Sequence, residues 1–173
     1  DVSNIATKII EDSRIGLSPL EKSTRYVYFD QKNNGNWLYY KEPAIMKSEF
    51  AGIYTEACNF LFETYAKLIP KISKYFTDLY PKDETTSDRA YASSIRAKTC
   101  DILRGLLPAS TITNMGMFGD GRAYEYLLMK MYASNLQEMR DIASSLQAEL
   151  ISIIPSFVKR ANDNNGKAMQ EYM

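Results

Sequence analysis

Arg25-Tyr26-Val27-Tyr28-Phe29-Asp30-Gln31-Lys32-Asn33-Asn34-Gly35-Asn36-Trp37-Leu38-Tyr39-Tyr40 is the stretch on which the fold class turns. Aromatic and β-branched side chains fill both of its ends, and Asn-Gly chemistry tolerant of positive φ lies between them. The stretch therefore predicts a β-hairpin with strands over 25–30 and 37–40. Almost everything around it reads as helix. A two-stranded hairpin is marginal in water by itself, so it is expected to belong to a larger antiparallel sheet, which makes the chain α+β and mostly helical.

Upstream, Ile5, Ile9 and Ile10 stand at helical spacing and predict a short helix ending near Gly16, after which Gly16-Leu17-Ser18-Pro19 breaks it. Downstream, Phe50, Ile53, Tyr54, Ala57, Leu61, Tyr65 and Leu68 form one helical stripe, interrupted near Pro70 and resumed from Ile72 to Tyr80. Pro81 to Ser87 is a polar turn, with Thr86 or Ser87 placed to cap a helix running from Asp88 to about Leu106. Ala109 to Gly121 is either a loop or a short buried helix. Ala123 to Ile153 predicts a single long helix closed before Pro155, followed by a short helix from Ser156 to about Ala161 and a frayed polar tail.

The composition narrows the chemistry. Among 173 residues there is no histidine, which removes Ser-His-Asp and Cys-His nucleophilic catalysis, His-ligated metal sites and any imidazole base from this chain. The 21 Lys+Arg balance 21 Asp+Glu, which argues against a broad nucleic-acid surface. No apolar run reaches the roughly 20 residues of a membrane span. Cys58 and Cys100, each in apolar surroundings, read as buried thiols of a reducing compartment, so a soluble cytoplasmic protein is expected. The length fits one domain over 1–173. The first residue is Asp1 rather than Met, so a longer parent chain is expected.

Two stretches concentrate polar groups at backbone irregularities. In Ser18-Pro19-Leu20-Glu21-Lys22-Ser23-Thr24-Arg25-Tyr26, hydroxyls, a carboxylate and a guanidinium precede a strand; such a turn either holds an anion or is a solvated loop with an ordinary Ser/Thr turn bond. In the second, Arg104 lies one turn before Pro108, where it either faces the helix's terminal carbonyls or a ligand. Gly116, Gly119 and Gly121, with Asp120 and Arg122 among them, describe a backbone able to approach a flat ligand.

Glu21-Lys22-Ser23-Thr24-Arg25-Tyr26, with Ser18 upstream, resembles the end of the signature R-H-R-x-x-S-x-N-E-x-S-x-R-Y of flavin-dependent thymidylate synthases, the ThyX family. Arg104-Gly105-Leu106-Leu107-Pro108 followed by Thr113 is similar to that family's A-R-x-x-L-P-x-x-x-x-T, and Gln137-Glu138-Met139-Arg140 to its A-Q-x-E-I-R helix, one residue out of register. The resemblance covers roughly Ser13 to Phe157 and implies a ThyX-like α+β fold, lacking here the family's N-terminal part. It implies a homotetramer with flavin and nucleotide sites where subunits meet, or a second ThyX-like domain as partner. The implied reaction methylates dUMP to dTMP, with methylenetetrahydrofolate as carbon donor and NADPH-reduced FAD as hydride source.

By the same resemblance, Glu21, Ser23, Thr24 and Arg25 belong to the nucleotide and flavin site, and Arg104 contacts dUMP from a neighbouring subunit. Arg14, Asp120 and Arg122 belong with the flavin, Asp120 standing for an asparagine. Ser13-Arg14-Ile15 occupies the place of R-H-R. The arginine that polarises the pyrimidine in the family falls at Met131 if Thr113 sets the register, and at Lys130 if Glu138 does. Three readings follow: an active thymidylate synthase, a catalytically degenerate ThyX-like domain beside an active copy, or an unrelated helical interaction module.

Overall fold

The computed structural model describes residues 1–173 and is α+β, as the sequence leads one to expect, with helices dominating. In chain order the elements are β1 (Val2–Ser3), α1 (Asn4–Glu11), β2 (Leu17–Glu21), α2 (Pro43–Met46), α3 (Ala51–Leu79), α4 (Asp88–Leu103), β3 (Ile112–Thr113), β4 (Met115–Gly119), α5 (Gly121–Tyr132), α6 (Gln137–Ile153), α7 (Pro155–Val158) and α8 (Asn164–Tyr172). Single 3-10 turns follow α4 at Arg104–Leu106 and α7 at Lys159–Asn162. The chain forms two compact units, one of residues 1–21 with 113–173 and one of residues 22–112.

In the first unit, β2 and β4 pair antiparallel, from Leu17 opposite Gly119 to Glu21 opposite Met115. Neither strand is where the aromatic pattern placed one. Pro19 is tolerated because a two-stranded ribbon has an open edge that needs no N–H. The strand pair closes at a point of backbone contact: a Cβ on Gly119 would lie 2.5 Å from the Gly16 carbonyl oxygen, and Gly16 itself has φ +76°. A Cβ on Gly121 would lie 2.6 Å from the Phe157 ring. The glycines read as room for a flat ligand thus admit, at positions 119 and 121, the chain's own atoms. The core of this unit gathers Ala6, Ile10, Leu17, Leu127, Leu128, Met131, Met139, Ala143 and Val158.

The single long helix expected over 123–153 is two helices, α5 and α6. Ser134 interrupts it, its hydroxyl accepting from the Leu136 N–H at 3.2 Å while Arg140 bonds the Ser134 carbonyl. The tail expected to fray is helical, because Asp163 caps α8 through the Gly166 N–H at 2.9 Å and Gln170 donates to the Ala161 carbonyl at 2.6 Å.

In the second unit, the predicted turn is present without its strands. Asn33 and Asn36 exchange backbone bonds of 2.8 and 3.0 Å around Asn34 and Gly35, both at positive φ (49° and 80°). The flanking aromatics do not continue the ladder. Phe29, Trp37 and Tyr39 instead pack with Phe62, Tyr65 and Ile69 of α3, and Trp37 stacks on Phe62 with ring centroids 5.4 Å apart. Hydrophobic burial against a long helix outweighs strand propensity here. The same packing carries α3 unbroken through Pro70, since Cys58, Phe62, Tyr65 and Ile69 bury one continuous stripe. Ser87 caps α4 as expected, accepting from the Ala90 N–H. Both cysteines are buried free thiols, and burial pushes the Cys100 thiol up. No helix is long and apolar enough to cross a membrane.

Phe62 is fully buried and touches both Trp37 and Tyr39. Phe62→Ala is expected to cost about 3–5 kcal/mol, through lost burial and the cavity left behind. Urea unfolding followed by the fluorescence of Trp37 measures it, and a loss below about 1 kcal/mol would contradict this core.

Candidate functional site

The residues singled out by sequence divide between the two units. In the second, Ser23 to Tyr26 form a tight turn: the Tyr26 N–H donates to the Ser23 carbonyl at 3.3 Å, and the Arg25 N–H donates to the Ser23 hydroxyl oxygen at 3.2 Å. This is the ordinary Ser turn bond. It leaves the Ser23 O–H proton free to donate, and it points the Arg25 side chain away from the turn's own backbone. Thr24 lies in the same turn, half-buried.

Arg25 reaches α4. Its Nε and Nη2 donate to the two carboxylate oxygens of Asp101 at 2.8 and 3.1 Å, a bidentate pair on the surface. Arg104, one turn farther along, brings a guanidinium nitrogen to within 3.8 Å of the same carboxylate. Arg104 therefore faces Asp101 where a contact with the terminal helix carbonyls was one of the two readings. The structure thus joins the arginines of two separate motifs around one acidic residue. Asp101 carried no signal of its own in the sequence, though its position three residues before Arg104 puts both on one helix face. The hydrogen bonds from Arg25 hold the Asp101 carboxyl below its ordinary value and raise Arg25 in return.

In the first unit, Glu21 ends β2 and is tied to α1, accepting from Thr7 Oγ1 at 3.1 Å and from Lys8 Nζ at 2.7 Å. The bond to Glu21 is the main reason that the Lys8 ammonium is raised above its usual value. Arg14 and Asp120 line one open cleft of about 480 Å³ together with Gly16, Leu17, Ser18, Phe118 and Gly119. Asp120 is the N-cap of α5, accepting from the Ala123 N–H at 3.0 Å, and Arg122 follows in the first turn. Arg14 and Arg122 are exposed and enter no ion pair. Farther along α5, Lys130 Nζ donates to Ser13 Oγ at 3.1 Å. Lys130, one of the two register choices on α5, thus meets the residue at the start of the altered triplet.

Two elements of the resembling motifs serve the framework. Glu138 is buried and accepts from the Ser3 N–H and O–H at 2.6 and 2.5 Å, fixing α6 to the start of the chain. Thr113 is buried as well.

A family model described as thymidylate synthase complementing protein matches residues 1–156. The chain belongs to this family. Among curated proteins it is 52% identical over 173 residues to a UPF0159 protein of Chlamydia muridarum, covering 99% of this chain and 33% of that protein. It is 51% identical over 174 residues to one of Chlamydia pneumoniae, again with 33% of the relative covered, and 35% identical over 193 residues to one of Thermoplasma acidophilum, with 39% covered. The chain spans about a third of the length of these relatives.

The Asp101 titration tests the arginine pair. A carboxylate whose folded pKa is depressed stabilises the fold above its unfolded value near 4 and loses that contribution as pH falls through its folded value. Carbon-detected NMR of the Asp101 carboxyl should show a midpoint below about 3.9, and Arg25→Ala should return it toward that value. An unchanged midpoint in the variant would mean that the pair does not persist in solution.

Proposed function

We propose that this chain is the nucleotide-handling part of a flavin-dependent thymidylate synthase, which methylates dUMP to dTMP with methylenetetrahydrofolate and NADPH. The observation that carries the reading is the convergence of Arg25 and Arg104. Two guanidinium groups from the two family motifs, with the free Ser23 hydroxyl in the same turn as Arg25, form the donor set that a nucleoside monophosphate requires: charge-assisted, planar and matched to phosphate oxygens. Ser23, Thr24, Arg25 and Arg104 bind and orient the phosphate end of dUMP.

The cleft beside α5 fits the anionic part of a flavin dinucleotide. Arg14 lines it with an unpaired guanidinium, Arg122 follows outside its lining in the first turn of α5, and the dipole of α5 favours negative charge. The Asp120 carboxylate in the same cleft accepts from the Ala123 N–H and keeps its negative charge, which disfavours a diphosphate beside it. When bound, FAD supplies the hydride that completes the methyl group. Lys130, a cation anchored on Ser13, stands at one of the two positions to which the family's pyrimidine-polarising arginine maps, and Glu21 ties β2 to α1 at the far end of the ribbon. The protein acts in the cytoplasm as a homo-oligomer, tetrameric by family resemblance, or with a second domain of the same kind; relatives about three times as long leave room for one.

A second reading has its own support. Ser13-Arg14-Ile15 stands in place of R-H-R, and the Lys130 ammonium is engaged by Ser13, which suits a catalytically degenerate domain that supports an active copy.

Purified full-length protein should be yellow, and its oxidation of NADPH should quicken with dUMP. At 100 times its dissociation constant, dUMP should stabilise the fold by about 2.7 kcal/mol, readable as a rise in Tm. Arg25→Ala should remove this rise and leave FAD uptake intact. A colourless protein that takes up no FAD but still responds to dUMP is the outcome of the degenerate reading, and no response to either ligand would overturn both.

A further inference from the structure

We infer that Asp101 is a built-in competitor of the substrate phosphate, a releasable carboxylate that occupies Arg25 and Arg104 until a nucleotide displaces it; this rests on the nucleotide reading given above. A carboxylate and a phosphate present the same two-oxygen edge to a guanidinium. Asp101 offers that edge to Arg25 through two bonds, at 2.8 and 3.1 Å, so that Nε and Nη2, the two donors best placed for a bidentate phosphate contact, are taken. The contact with Arg104 is looser, at 3.8 Å, and leaves most of that guanidinium's donors free.

The pair is built to open. Its side chains are 48% and 36% exposed, and an exposed ion pair of this kind is weak because water and salt screen it. The tether is also one-sided. Arg25 stands on a turn of irregular backbone, whereas Asp101 is fixed on α4 one turn from Arg104, so a shift of the Arg25 side chain suffices to exchange partners. Without Asp101 the two arginines would repel each other in the empty site; with it the local charge is +1, one positive charge less than the arginines alone would offer. Asp101 therefore holds Arg25 near Arg104 and lowers affinity for small anions. A ligand must then bring more than inorganic phosphate does, since the base and sugar of a nucleotide supply the contacts that offset the displaced carboxylate. Asp101 is a specificity-determining residue rather than a catalytic one.

Calorimetric titration of the full-length protein tests this with dUMP, deoxyuridine and inorganic phosphate as ligands, on the wild type, Asp101→Asn and Asp101→Glu. Asp101 is exposed, and circular dichroism melting checks that each variant keeps its fold. Asp101→Asn is expected to bind dUMP about fivefold more tightly and inorganic phosphate more tightly still, with deoxyuridine unchanged, while Asp101→Glu behaves as the wild type. Equal or weaker dUMP binding by Asp101→Asn, in a protein whose wild type binds dUMP, would overturn the competitor role and leave the nucleotide reading standing. Tighter phosphate binding by Asp101→Asn with no dUMP binding in any form would support the competitor and sink the nucleotide reading. No anion binding by any form would overturn both.

Discussion

The pairing of Leu17–Glu21 with Met115–Gly119 is the constraint on which the first unit depends. It joins residues separated by the whole of the second unit, so closing it carries the entropy of a long loop. The register is fixed at one end by a contact between backbones: Gly119 sits where any Cβ would meet the Gly16 carbonyl, and the Asp120 N–H bonds that same carbonyl at 3.2 Å. Arg14 and Ser18 on one side, and Phe118 and Asp120 on the other, face one cleft because this register holds. At the other end Glu21 is bound to Thr7 and Lys8, which ties α1 to the ribbon.

Much of the helical framework was legible from periodicity and capping, and the failures share a cause. Ser87 caps α4 as its sequence indicates, whereas of the stripe expected on α3 only Tyr65 is buried: Phe50, Ile53 and Ala57 are exposed, and the buried face runs through Cys58, Phe62, Tyr65 and Ile69. The Asn34-Gly35 turn forms with both residues at positive φ, yet Val27 and Phe29 do not make a strand, because aromatic and β-branched residues satisfy a helix face as well as a pleated one. The true strands were hidden by Pro19 in one and by Gly116 and Gly119 in the other, residues that a two-stranded ribbon accepts and a broader sheet does not. The break at Ser134 has neither Gly nor Pro to announce it. Arg140, six residues on, supplies the bond that holds it, a tertiary fact that no local window contains.

At the site the cations were legible and their organisation was not. Arg25 and Arg104 belong to motifs far apart in the chain, and only the packing of the 23–26 turn on α4 makes them neighbours. Asp101 belongs to no motif. Lys130 was one of two register choices, and its bond to Ser13 shows why a single change at either position would be felt by the other.

The register of the ribbon has a consequence for how such a chain is assembled over time. Glu21 and Met115 are direct partners, so the polypeptide leaves the first unit and returns to it at adjacent points. A segment whose two ends are held side by side is a place where a chain tolerates insertion or exchange. Residues 22–112 are attached in this manner, and they carry the arginine pair. Selection is therefore free to reshape that segment, while the glycine contact that registers the host ribbon stays as it is.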